Sequence, residues 1–344
     1  MKEINTNSLE SANLESAKGP QSTLRIVSLI PSATEIVASL GYGQYLVGRS
    51  HECDYPNFVR SLPICTEPKF DPVGTSEEIH GRVTDLLTSA LSVYRVKTEI
   101  LADLRPTHII TQAQCEVCAV SLQDVEQAVT ELVAADGSGY FQAIQVVSLQ
   151  PERLADVWTD MSRVAEALDS SPASRQLATN KIEQLKSRIV SIGCQSAQQP
   201  RPTVACIEWT EPLMAAGNWV PELVQLASGD DCFGKAGAHS AWLTWAEMAI
   251  ANPDIIVIMP CGYDLDQTRQ AATEMAAHAE WHQLSAVKNK RVYVTDGNQY
   301  FNRPGPRLVE SYEILVEIIQ AQRANHTRIP THVPTHIPQG WEIL

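Results

Sequence analysis

Two Rossmann-like α/β lobes with parallel sheets, joined by one long backbone helix, are the fold this chain predicts, and three observations predict it. Strand and helix patterns alternate in each half, as parallel sheets covered by helices require. The halves share a device: Leu104-Arg-Pro-Thr-His-Ile-Ile110 and Ala251-Asn-Pro-Asp-Ile-Ile-Val257 both read as helix end, proline, buried strand. Between them Pro172 to Ile192 reads as one uninterrupted helix, with Ser171 as N-cap and Ala178, Ile182, Leu185 and Ile189 as a single apolar stripe. About 21 residues at 1.5 Å each span roughly 30 Å, the width of a small domain.

The elements follow in order. Residues 1–22 are polar and expected to lack order, and the lobe expected over 23–171 starts with a strand at Arg25 to Leu29. Ser32-Ala-Thr-Glu35 reads as a capping box opening a helix that Gly41 ends. A strand at Leu46 to Gly48 leads into Ser50-His-Glu-Cys-Asp-Tyr-Pro56. Gly74 to Leu104 reads as mainly helical with a break near Ser92, Thr107 to Thr111 as a buried strand, Val120 to Ala135 as a helix and Ala143 to Leu149 as a strand. After a helix at Glu152 to Leu168 and the connecting helix over 172–192 comes a polar linker, Gln195 to Pro202. The second lobe, 201–323, holds strands at Thr203 to Ile207, Asp254 to Met259 and Arg291 to Thr295, and helices at Val220 to Ala227, Trp245 to Ala251 and Arg307 to Gln322. Residues 324–344, with the Thr-X-X-Pro repeats of Thr327 to Pro338, read as an extended tail.

At 344 residues the chain can bury two cores. Forty acidic against 26 basic residues give a net charge of −14, which argues against nucleic acid or an anionic membrane surface as partner. The N-terminal stretch has no apolar export core, and no window is apolar enough to insert in a membrane. The chain therefore reads as cytoplasmic, with its eight cysteines as thiols in place of a disulfide framework.

Chemistry-bearing residues concentrate after strands. His51-Glu-Cys53, Cys115-Glu-Val-Cys118, Glu208-Trp209, Cys261-Gly-Tyr-Asp264 and Asn298 to Arg303 each follow a predicted strand, where ligands bind open parallel sheets. A cleft between lobes follows, and Trp209, Trp242, Tyr300 and Phe301 suit a large flat ligand. Trp219 and Trp245 read instead as core residues of their helices. His51, Cys53, Cys115 and Cys118 form a possible zinc set, and with Glu52 or Glu116 as acid/base they give an alternative metal- or thiol-dependent enzyme. Nucleotide-binding, hydrolase-elbow and metalloprotease motifs are missing from the sequence.

The stretch Arg25 to Pro56, with Pro-Ser-Ala-Thr-Glu, Gly-Tyr-Gly and Asp-Tyr-Pro, resembles the start of helical-backbone ABC-transporter solute-binding proteins. Tyr300-Phe-Asn-Arg-Pro-Gly-Pro-Arg307 is similar to their last ligand loop. The resemblance covers residues 23–322 and is nearest to the cobalamin-binding members. It implies a non-catalytic protein that holds a corrinoid or similar large planar ligand, a reading that ranks above the zinc set of His51, Cys53, Cys115 and Cys118. Carried onto this sequence, the family's contacts fall on Glu52, Trp242, Gln299, Tyr300 and Phe301, and the strand-end loops add His51, Cys53, Cys115, Glu116, Cys118, Glu208, Trp209, Asn298 and Arg303 as ligand-binding candidates. A transporter or a corrinoid-using enzyme is the implied recipient, with Glu77 or Glu78 nearest to a docking position.

Overall fold

The computed structural model describes residues 24–88, 93–113, 120–193, 200–323 and 340–344. The polar stretch 1–22, the loop carrying Cys115, Glu116 and Cys118, most of the expected linker and the Thr327–Pro338 repeats lie outside the described residues.

The first lobe contains β1 (Ile26–Ser28), α1 (Pro31–Ser39), β2 (Leu46–Arg49), β3 (Thr66–Pro68), α2 (Ser76–Thr88), β4 (Tyr94–Val96), α3 (Thr98–Leu104), β5 (His108–Gln112), α4 (Leu122–Ala135) and β6 (Gln145–Leu149). Its main sheet runs β2-β1-β5-β6 and is wholly parallel, with Val27 beside both Gly48 and Ile109. Ile26, Val27, Ile109 and Ile110 are buried on both faces, which explains their unbroken apolar runs.

Two local expectations give way. The stretch 74–104, expected as helix on both sides of a break near Ser92, also holds a strand: Tyr94 and Val96 are buried while Arg95 is exposed, a period of two, and this strand pairs antiparallel with β3. The capping box is not formed either. The helix begins at Pro31, its N-cap Ile30 makes no side-chain bond, and Glu35 turns away toward the other lobe.

Next come α5 (Leu154–Leu168) and the connecting helix α6 (Pro172–Gly193). Ser171 Oγ accepts the Ser174 N–H at 3.2 Å, completing the expected N-cap.

The second lobe contains β7 (Thr203–Thr210), β8 (Leu213–Ala215), α7 (Val220–Leu226), β9 (Asp230–Asp231), β10 (Ala241–Trp242), α8 (Trp245–Ala251), β11 (Ile255–Ile258), α9 (Leu265–Met275), α10 (Ser285–Lys288), β12 (Val292–Thr295), α11 (Leu308–Arg323) and β13 (Trp341–Ile343). Its parallel strands β9, β7, β11 and β12 are flanked by antiparallel β8 and β10 on one side and β13 on the other. The last of these corrects the expectation of an extended tail to the end of the chain. Trp341 is buried opposite Thr295, and its indole donates to Glu317 at 2.8 Å, which anchors the segment as an edge strand.

The shared device of the two halves is conformational. Arg105 (φ 45°, ψ 62°) and Asn252 (φ 42°, ψ 62°) end α3 and α8 in the same left-handed turn, each followed by proline and a buried strand. Ala178, Ile182, Leu185 and Ile189 of α6 are buried in one core cluster with residues of α1, α5, α7 and α11. Each such large side chain contributes about 1.5–3 kcal/mol by burial, so α6 is fastened to both lobes.

Candidate functional site

The carboxyl ends of both sheets face a cavity of about 250 Å³ between the lobes. The turn after β1 contributes Ile30, Pro31 and Ser32, the segment after β2 contributes Glu52, and the end of β5 contributes Gln112. Opposite them stand Glu208 on β7, Cys261 and Gly262 after β11, and Asn298, Phe301, Asn302 and Arg303 after β12. Met214, Asn218, Trp219, His239 and Ser240 complete that wall.

Its aromatic floor is held by backbone contacts. Trp219 Nε1 donates to the Phe301 carbonyl at 2.7 Å, and the Phe301 N–H donates to Ser311 Oγ at 3.0 Å. These bonds hold Phe301 at a φ of 37°, a region unfavourable for a bulky residue, and its ring is fully buried.

Two arginines close the cleft at one side. Arg307 Nε and Nη2 donate to the two Glu35 oxygens at 2.8 and 2.6 Å, and its guanidinium lies 4.2 Å from the centre of the Tyr55 ring. Arg303 Nη1 donates to Asp54 at 2.6 Å and Glu35 at 3.3 Å, while Nη2 donates to Asn298 at 2.8 Å. Burial works to raise the Asp54 carboxyl, but its bond to Arg303 and the nearby positive charges hold it below the usual range. Farther along, Ser76 Oγ bridges to Thr210 Oγ1 at 2.7 Å and to the Tyr263 hydroxyl at 3.3 Å.

The cavity carboxyls behave differently. Loss of water pushes Glu52 up to about 7 despite the charge of Arg303 and a long 3.5 Å bond from Tyr94. Burial also raises Glu208, against bonds from Ser240 at 2.7 Å and from the Gly217 N–H. Cys261 is pushed up to about 12 by burial and by the charges of Glu208 and Glu52, so it is a neutral thiol.

Of the residues expected at the site, Glu52, Glu208, Asn298, Phe301 and Arg303 line the cavity. Trp209 does not; it follows an irregularity in the β7–β8 register between Ile207 and Trp209 and packs against Tyr263 at 5.4 Å. Trp242 is 56 % exposed on an edge strand, its ring 5.3 Å from His80 of the other lobe. Tyr300 is buried in the core, and Gln299 bonds Asp296 and Arg307. His51 Nδ1 lies 2.8 Å from Thr66 Oγ1, and burial followed by the charges of Lys97 and Arg49 lowers its ring to about 4. Cys53 is buried, accepts from Thr34 Oγ1 at 3.0 Å, and is pushed up to about 12 by burial. Neither His51 nor Cys53 lines the cavity, and no group of three or more metal-ligating side chains occurs among the described residues. Cys115, Glu116 and Cys118 lie outside them. Sequence reading missed Ser32, Glu35, His239 and Arg307 and favoured a core role for Trp219 over a place among the loop aromatics, since each carries an ordinary local role and acquires its place only across the cleft.

The sequence profile described as Periplasmic binding protein matches residues 26–299. Among curated relatives, an uncharacterized ABC transporter substrate-binding lipoprotein, YvrC of Bacillus subtilis (strain 168), is 24 % identical over 297 residues, 86 % of this chain and 79 % of the relative. The Vitamin B12-binding protein of Vibrio vulnificus (strain CMCP6) is 20 % identical over 297 residues, covering 85 % and 89 %. Among solved structures, the periplasmic heme-binding protein RhuT from Roseiflexus sp. RS-1 in apo form superposes with a TM-score of 0.62 at 20 % identity, covering 87 % of this chain and 99 % of that one. These relatives overturn the cytoplasmic placement, which rested only on the polarity of residues 1–22; the profile match and the lipoprotein relative are extracytoplasmic. They also set aside the enzyme alternative: the profile describes a binding protein, and the two relatives are named as a substrate-binding lipoprotein and a vitamin B12-binding protein. With the profile matched from Ile26 to Gln299, on two α/β lobes braced by one helix, the chain belongs to the periplasmic binding protein family.

Proposed function

We propose that this chain is the solute-binding component of an ABC importer and that its solute is a corrinoid. The observation that carries the reading is the cavity at the strand carboxyl ends, walled by both lobes and floored by Trp219 and Phe301. The B12-binding relative supports a corrinoid, and the aromatic floor suits a flat macrocycle. At about 250 Å³ the cavity is smaller than sites that enclose even a drug-sized ligand, roughly 300–1,000 Å³. A corrinoid is therefore held with the lobes parted at the Ser76 contacts, and Trp242 then flanks the ligand from the cleft mouth. The importer receives the solute from the lobe tips, where Glu77 is exposed at the start of α2.

The test is retention of hydroxocobalamin by the purified full chain. Binding keeps the colour with the protein through desalting and shifts the corrin absorption bands. Unchanged bands and free passage of the dye overturn the corrinoid assignment.

A further inference from the structure

The walls of the cavity differ in hydrogen-bonding character. Glu52 and Glu208 both face it, and their acceptors outnumber the donors around them: Tyr94 for the first, Ser240 and the Gly217 N–H for the second. Arg303 also lines the cavity, but its charge is already answered by Asp54 and Glu35, and Arg307 by Glu35. His239 is the remaining ionisable base in the lining. Donors concentrate elsewhere. Ile30, Pro31 and Ser32 put the first turn of α1 in the wall; Pro31 has no N–H, so Ser32 is the helical residue of the three that carries a backbone donor, and a first-turn N–H has no intrahelical acceptor. Ser32 is 1 % exposed, and its Oγ has no hydrogen-bond partner. A buried hydroxyl left unmatched at a cavity wall points to a ligand atom that completes it.

Resting on the corrinoid reading, we propose that this cleft takes carboxamide groups and refuses carboxylates: Glu52 and Glu208 receive amide N–H groups, while Ser32 and the end of α1 donate to amide oxygens. Only a group with both a donor and an acceptor satisfies both walls. A carboxylate satisfies the α1 end, but above the pH of about 7 to which burial raises Glu52 it finds like charge and no donor on the acid wall. A helix end favours an anion by about fivefold or less at an accessible site, whereas a carboxylate set against like charge inside a cleft loses about 100-fold or more. The acids therefore decide. Among macrocycles, the amide-bearing corrinoid is accepted and a ring carrying free carboxylates, such as haem, is not.

The experiment holds ring and metal constant and changes only the side groups. Equilibrium dialysis of the full chain at pH 8.5, above the value of about 7 to which burial raises Glu52, compares dicyanocobinamide, whose side groups are amides, with dicyanocobyrinic acid, whose side groups are carboxylates; hemin is a third probe. The expected result is at least about 100-fold weaker binding of cobyrinic acid. Glu208→Gln or Glu52→Gln narrows that gap by about tenfold, and Ser32→Ala weakens cobinamide several-fold without narrowing it. Cobyrinic acid bound within tenfold of cobinamide overturns the amide selection while leaving the corrinoid reading intact. Hemin bound in preference to both corrinoids overturns the selection and the corrinoid reading but keeps a tetrapyrrole site. Binding of none of the three overturns both.

Discussion

Arg307 at the start of α11 grips Glu35 in the middle of α1 with two hydrogen bonds of 2.8 and 2.6 Å, although the two residues stand 272 positions apart. Both side chains are almost fully buried, and Arg303 shares the same carboxylate. Removing one partner of a buried ion pair strands the other without water, which costs about 3–5 kcal/mol. Glu35→Ala is expected to destabilise the protein by that amount in urea unfolding. Arg175→Ala, which breaks the exposed pair with Glu166, is expected to leave the midpoint unchanged. Equal effects of the two substitutions would contradict the role given to the buried pair.

Glu52 makes stability depend on pH with a definite sign. Burial raises its folded-state pKa from 4.5 to about 7, so the unfolded chain releases this proton first. The contribution is complete below about pH 4.5 and is lost as pH rises to about 7. Arg303, Asp54, Tyr94 and Cys261 are the charged or titratable groups around it. Glu52→Gln cannot ionise, so its stability relative to the parent should rise between pH 5 and pH 8, by up to about 3 kcal/mol. Parallel curves for the two proteins over that range would refute the assignment.

Trp219 holds the cavity floor through a single bond to the Phe301 carbonyl. Trp219→Phe keeps an aromatic ring but leaves that buried carbonyl without its donor, a loss of about 1–3 kcal/mol. The expected outcome is that stability falls by this amount and cobalamin retention falls with it. Trp242→Ala, at an exposed edge, should leave stability within about 0.5 kcal/mol of the parent, and circular dichroism melts separate the two cases.

The connecting helix limits how far the lobes can part. Because Ala178, Ile182, Leu185 and Ile189 share one core with α5 and α11, opening is restricted to a small rotation that breaks the Ser76 bridges to Thr210 and Tyr263. Solution scattering with and without hydroxocobalamin should show nearly superimposable profiles. A large change in radius of gyration on loading would overturn this.

The sequence by itself determined whatever depends on local periodicity and short-range stereochemistry. The parallel strands of the first lobe, the stripe and N-cap of α6, and the Pro-preceded strands β5 and β11 all follow from spacing of apolar residues and from turn chemistry. It also placed candidate residues at the strand ends, and Glu52, Glu208, Asn298, Phe301 and Arg303 line one cavity there. It misjudged residues whose partners are distant. Glu35 has the spacing of a capping residue but is drawn to Arg307, because two buried guanidinium groups outcompete one helix-end N–H. Trp209 follows Glu208, yet past the irregularity in the β7–β8 register it packs on Tyr263 and stays outside the cavity lining. His51 and Cys53 have the composition of a metal site, but burial against Thr66 and Thr34 leaves them neutral and outside the cavity lining. Only the tertiary structure decided which polar groups share the cleft and in which charge state, because desolvation and ion pairing depend on what the opposite lobe brings within a few ångströms.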